Sequence, residues 1–137
     1  MANHTGSCQC GDVRIEIDAD PIFSGHCTCR DCQRASGTGH STIVAFPKAA
    51  VRIIGTTTKY TSTADSGKPV TREFCPRCGS RLASSGESNP MAILVAGPAL
   101  DDQSIVRPGA YVYTKSKAPW DYLNPNLPAF PAMPAGF

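Results

Sequence analysis

Seven cysteines in three clusters are the feature that most constrains how this chain can fold. They occur as Cys8-Gln-Cys10, Cys27-Thr-Cys29-Arg-Asp-Cys32 and Cys75-Pro-Arg-Cys78. An odd number cannot pair completely as internal disulfides, and a reducing cytosol disfavours such pairs in any case. Close spacing lets two thiolates reach the same ion. The clusters therefore indicate metal binding rather than scattered core cysteines.

Zinc is the first candidate for such sites, because soft sulfur ligands suit it and its four-coordinate geometry carries no electronic preference. Mononuclear iron and iron–sulfur clusters also use cysteine, so the metal is an inference from the ligands. The turn from Cys75 to Gly79 is the sharpest signal. A glycine directly after the second cysteine can take a positive φ, which lets backbone N–H groups point at the sulfurs.

The number seven also bears on how the ligands divide. One closed structural site takes four cysteines and leaves three, and three protein ligands with a vacant fourth position are typical of catalytic zinc. One division pairs Cys29 and Cys32 with Cys75 and Cys78, leaving Cys8, Cys10 and Cys27. The other pairs Cys8 and Cys10 with Cys75 and Cys78, leaving the compact set Cys27, Cys29 and Cys32. Spacing alone leaves both open, together with a purely architectural interpretation of one closed site and three spare thiols.

The hydrophobic periodicity predicts a mainly β protein. Val13, Ile15 and Ile17 alternate with polar residues, which is the period of a half-buried strand. Further strands are predicted at 41–46, 51–54, 59–63, 70–74, 92–95 and 110–114. One short helix is predicted at Arg30–Ser36. The last nineteen residues hold five of the twelve prolines, so they are expected to form an extended Pro-rich C-terminal arm.

Length and charge narrow the functional class. A chain of 137 residues has room for one domain, so residues 1–137 are expected to form a single zinc domain. The net charge is +2 with no long basic run, which argues against a nucleic-acid partner. No apolar run reaches the ~18 residues of a membrane span, and the polar start lacks a signal peptide's apolar segment. We therefore expect a cytoplasmic protein with no membrane partner.

Four motifs resemble those of the glutathione-dependent formaldehyde-activating enzyme (GFA) family, also called the centromere protein V (CENP-V)/GFA domain. The first two are Gly6-Ser7-Cys8-Gln9-Cys10-Gly11 and the run from His26 to Arg34 followed by Ser36-Gly37. The other two are Phe74-Cys75-Pro76-Arg77-Cys78-Gly79-Ser80 and the tail element Lys115-Ser116-Lys117-Ala118-Pro119-Trp120. The order and spacing of the motifs match from Gly6 to about Pro131.

The resemblance implies the second division of the cysteines. It implies a structural zinc held by Cys8, Cys10, Cys75 and Cys78, and a catalytic zinc held by Cys27, Cys29 and Cys32, two ions per chain. It also implies a β-tent zinc fold of the Mss-four type. The activity that it implies is a carbon–sulfur lyase that joins glutathione to formaldehyde as S-(hydroxymethyl)glutathione.

The sequence leads to two hypotheses about function, which belong to different classes. The first is a zinc-dependent carbon–sulfur lyase whose substrate is a small thiol such as glutathione. The alternative is a non-enzymatic zinc-binding interaction module. Arg30 and Arg34 are candidates to meet substrate carboxylates, although solvated surface arginines are more common. His26, beside Cys27, is a candidate ligand or proton shuttle, although a position behind the ligands or on the surface is the more common outcome.

Overall fold

A computed structural model describes residues 3–134, and most of its regular structure is β. Its strands are β1 His4–Ser7, β2 Arg14–Ile17, β3 Phe23–Cys27, β4 Ser41–Pro47, β5 Val51–Ile54, β6 Thr58–Thr63, β7 Pro69–Phe74, β8 Arg81–Gly86, β9 Ala92–Ala96 and β10 Tyr111–Val112. Helix α1 spans Arg30–Ser36, and short 3-10 turns cover Lys48–Ala50, Gly97–Ala99, Gln103–Ile105 and Thr114–Ser116. The prediction of a mainly β protein with short helical turns is confirmed.

The strands form two sheets. The smaller sheet is antiparallel with the order β1-β2-β5, and it places Ile15 opposite Gly6 and Ile53. The larger sheet has the order β10-β3-β4-β9-β8-β7-β6 and is antiparallel except for the edge strand β10, which runs parallel to β3. Two of the cysteine clusters therefore lie in the turns of hairpins. One turn connects β1 to β2, and the other connects β7 to β8.

The core lies between the two sheets. The smaller sheet and the turn before β2 contribute Val13, Ile15 and Ile17, and the larger sheet contributes Val44, Phe46, Leu82 and Val95, all fully buried. Burying one such side chain stabilises the fold by about 1.5–3 kcal/mol. Cys8 and Cys75 belong to this same buried cluster, at 3% and 0% exposure. One cysteine group is thus built into the core of the protein.

Helix α1 begins and ends at residues whose chemistry favours these positions. Cys29 is the N-cap residue, and its Sγ accepts a hydrogen bond from the Cys32 N–H at 3.3 Å. Gly37 ends the helix in the left-handed conformation at φ 75°, where its N–H donates to the Gln33 carbonyl. Within residues 3–134, no helix has the length and apolar character needed to cross a membrane.

Three strands are present that the sequence pattern did not predict, namely β1, β3 and β8. Their sequences are short or rich in small polar residues, as in Arg-Leu-Ala-Ser-Ser-Gly of β8. The strand predicted over 110–114 is reduced to β10, because Tyr113 takes the left-handed conformation at φ 60° and turns the chain away.

The segment that follows β10 loops back and pairs with this strand in the parallel direction, with Ala129 opposite Tyr111. The Tyr111 N–H donates to the Pro128 carbonyl, and the Phe130 N–H donates to the Tyr111 carbonyl, each at 2.9 Å. The Tyr111 hydroxyl accepts from the Asn124 N–H at 2.9 Å, and Asp121 Oδ2 lies 2.8 Å from His40 Nδ1. These contacts hold the Pro-rich segment against the edge of the larger sheet.

Candidate metal centres

The Cys8–Cys10 turn connects β1 to β2. The Cys8 N–H donates to the Val13 carbonyl at 3.0 Å, and the Val13 N–H donates to Cys8 Sγ at 3.3 Å. Gly11 supplies the positive φ of 84° that the turn requires. The backbone therefore fixes the direction of the first sulfur and donates a hydrogen bond to it.

The Cys75–Cys78 turn connects β7 to β8 and, like the first turn, combines a glycine at positive φ with N–H groups that point at a sulfur. The Gly79 N–H donates to the Cys75 carbonyl at 2.9 Å, with Gly79 at φ 77°. The N–H groups of Arg77 and Cys78 point at Cys75 Sγ, at 3.4 and 3.5 Å. The predicted positive φ of Gly79 and the predicted N–H contacts to sulfur are both present. The Ser80 hydroxyl and backbone N–H, with other hydrogen bonds, lower the pKa of Cys78 to about 5.

These two turns meet at one point. The sulfurs of Cys8, Cys10, Cys75 and Cys78 all lie within 4.8 Å of one another. Cys10 Sγ is 3.6 Å from Cys8 Sγ and 3.7 Å from Cys75 Sγ. A tetrahedral zinc ion with Zn–S bonds of about 2.3 Å places its sulfurs about 3.8 Å apart. The spacing and the donor set of four thiols fit a closed, four-coordinate metal site.

A second group contains the remaining three cysteines. Cys27 is the last residue of β3, Cys29 caps α1 and Cys32 lies in its first turn, and their sulfurs also lie within 4.8 Å of one another. Cys32 is buried, whereas Cys27 and Cys29 are half-buried. Among residues 3–134, no further Cys, His, Asp or Glu joins this group. It offers three ligands where the first group offers four.

The peptide that joins β3 to α1 is held by two side chains outside the cysteine motif. Thr28 is fully buried, and its hydroxyl lies within hydrogen-bond distance of the Val112 and Tyr113 carbonyls, at 3.1 and 2.8 Å. The Gln33 amide donates to the carbonyls of Thr28 and Ser116, each at 2.9 Å. These bonds tie the three-cysteine group to β10 and to the turn that follows it.

The electrostatics of the three-cysteine group concentrate negative charge on one sulfur. Hydrogen bonds from the thiols of Cys27 and Cys29 lower the pKa of Cys32 to about 2. Hydrogen bonds with Cys29 and with Cys32, together with burial, raise the pKa of Cys27, since its thiol gives up its proton less readily beside a thiolate. Arg81 of β8 is the nearby cation. Burial lowers the pKa of its guanidinium, and the negative charge of Cys32 acts in the opposite direction.

Comparison with known proteins places this arrangement in a family. The sequence model of the glutathione-dependent formaldehyde-activating enzyme family matches residues 3–116, a range that contains all seven cysteines. The chain belongs to this family. Among solved structures, a Rhodobacter sphaeroides protein is similar over 92% of this chain and 98% of its own length, with a TM-score of 0.60. At 18% identity, that similarity shows a shared fold.

In this GFA-family chain, the other residues singled out in the sequence lie outside the cysteine groups. His26 stacks on Tyr111 with ring centroids 4.7 Å apart, and its Nδ1 lies 2.8 Å from Thr42 Oγ1. Burial, with a contribution from His40, lowers the pKa of His26 to about 4, so the ring is neutral at physiological pH. Arg30 and Arg34 are exposed on α1. The arginine beside the three cysteines is Arg81 instead.

Sequence analysis of this GFA-family chain missed Thr28, Gln33 and Arg81. Thr28 and Gln33 carry no signal that distinguishes them from ordinary polar residues beside a motif. Arg81 is the first residue of β8, whose sequence Arg-Leu-Ala-Ser-Ser-Gly gives no strand pattern that would bring this arginine to the cysteines.

Proposed function

We propose that this GFA-family protein is a zinc-dependent carbon–sulfur lyase that forms or cleaves the adduct of a small thiol and an aldehyde. Glutathione and formaldehyde are the substrates that the family name suggests. The observation that carries the proposal is the difference between the two cysteine groups. One offers four sulfurs, two of which belong to buried core residues, while the other offers only three, of which the Cys32 sulfur belongs to a buried residue.

We assign a structural zinc to Cys8, Cys10, Cys75 and Cys78. The sulfur spacing near 3.7 Å and the full burial of Cys75 support a closed site that stabilises the fold. We assign a catalytic zinc to Cys27, Cys29 and Cys32, where three protein ligands leave one position for substrate. Zinc bound there supplies a positive charge that favours the thiolate form of a coordinating thiol.

The reaction joins the thiol sulfur to the aldehyde carbon. The new C–S bond uses a sulfur electron pair, the carbonyl π electrons move to oxygen, and that oxygen takes up the proton that the thiol loses. The reverse reaction returns the proton and breaks the C–S bond. The protein's part is to hold the sulfur and the aldehyde carbon in contact and to limit the water around them.

Turnover tests the proposal. We expect zinc-loaded protein to accelerate the interconversion of glutathione, formaldehyde and S-(hydroxymethyl)glutathione, measured by NMR exchange against the uncatalysed reaction. Cys29→Ala removes a ligand of the three-cysteine group and should abolish the acceleration. Arg107→Gln changes an exposed residue that belongs to neither cysteine group, so it is the control and should retain the acceleration.

The result that overturns the proposal is equally specific. If protein with both sites loaded leaves the exchange at the uncatalysed rate, the enzyme assignment fails. The alternative, a zinc-binding interaction module, would then be the better account.

A further inference from the structure

Tyr113 directly follows β10 and has an unusual backbone conformation. At φ 60° and ψ 36° it is left-handed, and it is the only non-glycine residue with positive φ among residues 3–134. This conformation is costly for a residue with a side chain, so it persists only where the surroundings hold it, and such residues cluster at functional sites. The function proposed above assigns Tyr113 no role.

The loop that carries the three cysteines holds the backbone of Tyr113 in place. Thr28 stands between two of these cysteines and is fully buried, and its hydroxyl lies 2.8 Å from the Tyr113 carbonyl. The Ser116 N–H donates to the same carbonyl at 3.0 Å, and the Gln33 amide donates to the Ser116 carbonyl at 2.9 Å. The left-handed residue is therefore fixed relative to the three-cysteine group.

The Tyr113 hydroxyl lies between the three-cysteine group and solvent. On one side it is close enough to Cys27 and Cys29 for their negative charge to act on it. On the other side it hydrogen-bonds with the carboxylate of Asp65, an exposed residue in the turn between β6 and β7. Tyr113 is itself half-buried. A small molecule from solvent can therefore approach the two sulfurs beside this hydroxyl.

The proposed reaction places negative charge on an oxygen next to sulfurs that are already negative. Three thiolates around a dication leave one net negative charge, and a substrate thiolate makes it two. The carbonyl oxygen gains further negative charge as the C–S bond forms. A hydrogen-bond donor already in place at that oxygen stabilises the transition state. The reaction therefore benefits from a donor supplied by the protein.

Tyr113 has a proton available for such a bond. Burial and the Asp65 carboxylate raise the pKa of Tyr113 to about 12, so its hydroxyl is protonated at neutral pH. The hydroxyl rotates about its C–O bond and can turn from Asp65 to another acceptor. Since Asp65 is exposed, water then replaces the phenol as its donor. The Thr28 hydroxyl, by contrast, is already engaged with two backbone carbonyls.

We propose that Tyr113 is a catalytic residue whose hydroxyl donates a hydrogen bond to the aldehyde oxygen while the C–S bond forms or breaks. The inference rests on the function proposed above and adds to it the residue that stabilises the oxygen. A sulfur electron pair forms the C–S bond, and the carbonyl π electrons move to the oxygen beside the Tyr113 hydroxyl. The thiol has released its proton to water, and the new alkoxide takes one proton from water. Tyr113 keeps its own proton throughout.

Tyr113→Phe tests the proposal, because it removes the hydroxyl and keeps the ring. We expect the catalysed exchange at saturating glutathione to slow about tenfold or more, with zinc content and the KM for glutathione nearly unchanged. Tyr122→Phe removes the same group from a residue that is 93% exposed, so it is the matched control and should retain the wild-type rate. An unchanged rate in Tyr113→Phe overturns the proposal and leaves the proposed function standing.

A second variant separates catalysis from support of the turn between β6 and β7. Asp65→Ala removes the carboxylate that the phenol contacts but keeps the phenol itself. It should retain most of the acceleration. A loss as large as that in Tyr113→Phe would mean that Tyr113 acts by holding this turn, and would overturn its catalytic role.

A third measurement does not depend on turnover. In zinc-loaded protein labelled with carbon-13 at tyrosine Cζ, the Tyr113 resonance is the one missing from Tyr113→Phe. Glutathione mixed with formaldehyde, which forms S-(hydroxymethyl)glutathione, should shift this resonance. S-ethylglutathione, in which a methyl group replaces the hydroxyl, should not. A selective shift in protein that leaves the exchange at the uncatalysed rate would retain the Tyr113 contact and contradict the proposed function. An unshifted resonance at saturating adduct would overturn the contact.

Discussion

Cys10 Sγ lies 3.7 Å from Cys75 Sγ, although the two residues are 65 positions apart in the chain. Cys10 lies in the turn before β2 of the smaller sheet, and Cys75 directly follows β7 of the larger sheet. The contact therefore joins the two sheets at the edge of the core. A metal bound by these thiols would act as a cross-link between the sheets, in a chain whose core is small.

Cys75→Ala should therefore unfold or strongly destabilise the protein. The fully buried Cys75 lies between the sheets, and loss of a structural metal removes binding energy that is coupled to folding. We expect a fall of several kcal/mol in the free energy of unfolding, measured by denaturant titration in excess zinc. Cys29→Ala is the comparison: it removes the N-cap of α1, so it should lower the unfolding free energy by only about 1 kcal/mol. Equal destabilisation by both variants would contradict the assignment of the two sites.

Metal content should approach two zinc ions per chain in protein purified without chelator. The three-cysteine group should release its ion first on titration with a chelator or on mild acidification, because it has one protein ligand fewer. Elemental analysis along the titration checks this order. A firm plateau at one equivalent, with Cys27, Cys29 and Cys32 reacting freely with a thiol reagent, would support the architectural interpretation instead.

Thr28→Val should weaken zinc binding at the three-cysteine group without abolishing the fold. The substitution keeps the shape of a fully buried side chain but removes the hydroxyl that bonds the Val112 and Tyr113 carbonyls. We expect a loss of about 1–2 kcal/mol in unfolding free energy and a lower zinc affinity of the second site. Competition with a coloured chelator measures that affinity. Thr28→Ser restores the hydroxyl and should recover it; failure of Ser to do so would mean that packing, not hydrogen bonding, matters here.

Much of the fold can be predicted from the sequence where an element buries one face and exposes the other. Val13, Ile15 and Ile17 alternate because β2 packs one face on the core, and α1 has the predicted bounds because Gly37 provides a left-handed C-cap. The sequence pattern does not predict strand β8, because this strand has no such alternation. Its Ala83 and Ser84 are buried between neighbouring strands, where small side chains suffice and no alternation of large apolar residues arises.

The site was predictable in part. The clusters identify the seven sulfurs, but spacing alone leaves open which of them meet, because that depends on the contact between the turn at Cys8–Cys10 and the turn at Cys75–Cys78. Arg30 and Arg34, the candidate cations suggested by proximity in sequence, are exposed on α1, as surface arginines usually are. Arg81 reaches the three cysteines through strand pairing across the larger sheet, a relationship that no local pattern encodes.

The most direct test of the central claim is a proton count on thiol binding. If the three-cysteine group with zinc takes glutathione as a thiolate, binding should release close to one proton at neutral pH, since a coordinating thiol must ionise. Calorimetry of zinc-loaded protein in buffers of different ionisation enthalpy gives that number. S-methylglutathione keeps both carboxylates but has no ionisable thiol, so it should bind much more weakly and release none. Equal affinity for the two ligands, with no proton released by glutathione, would contradict the account.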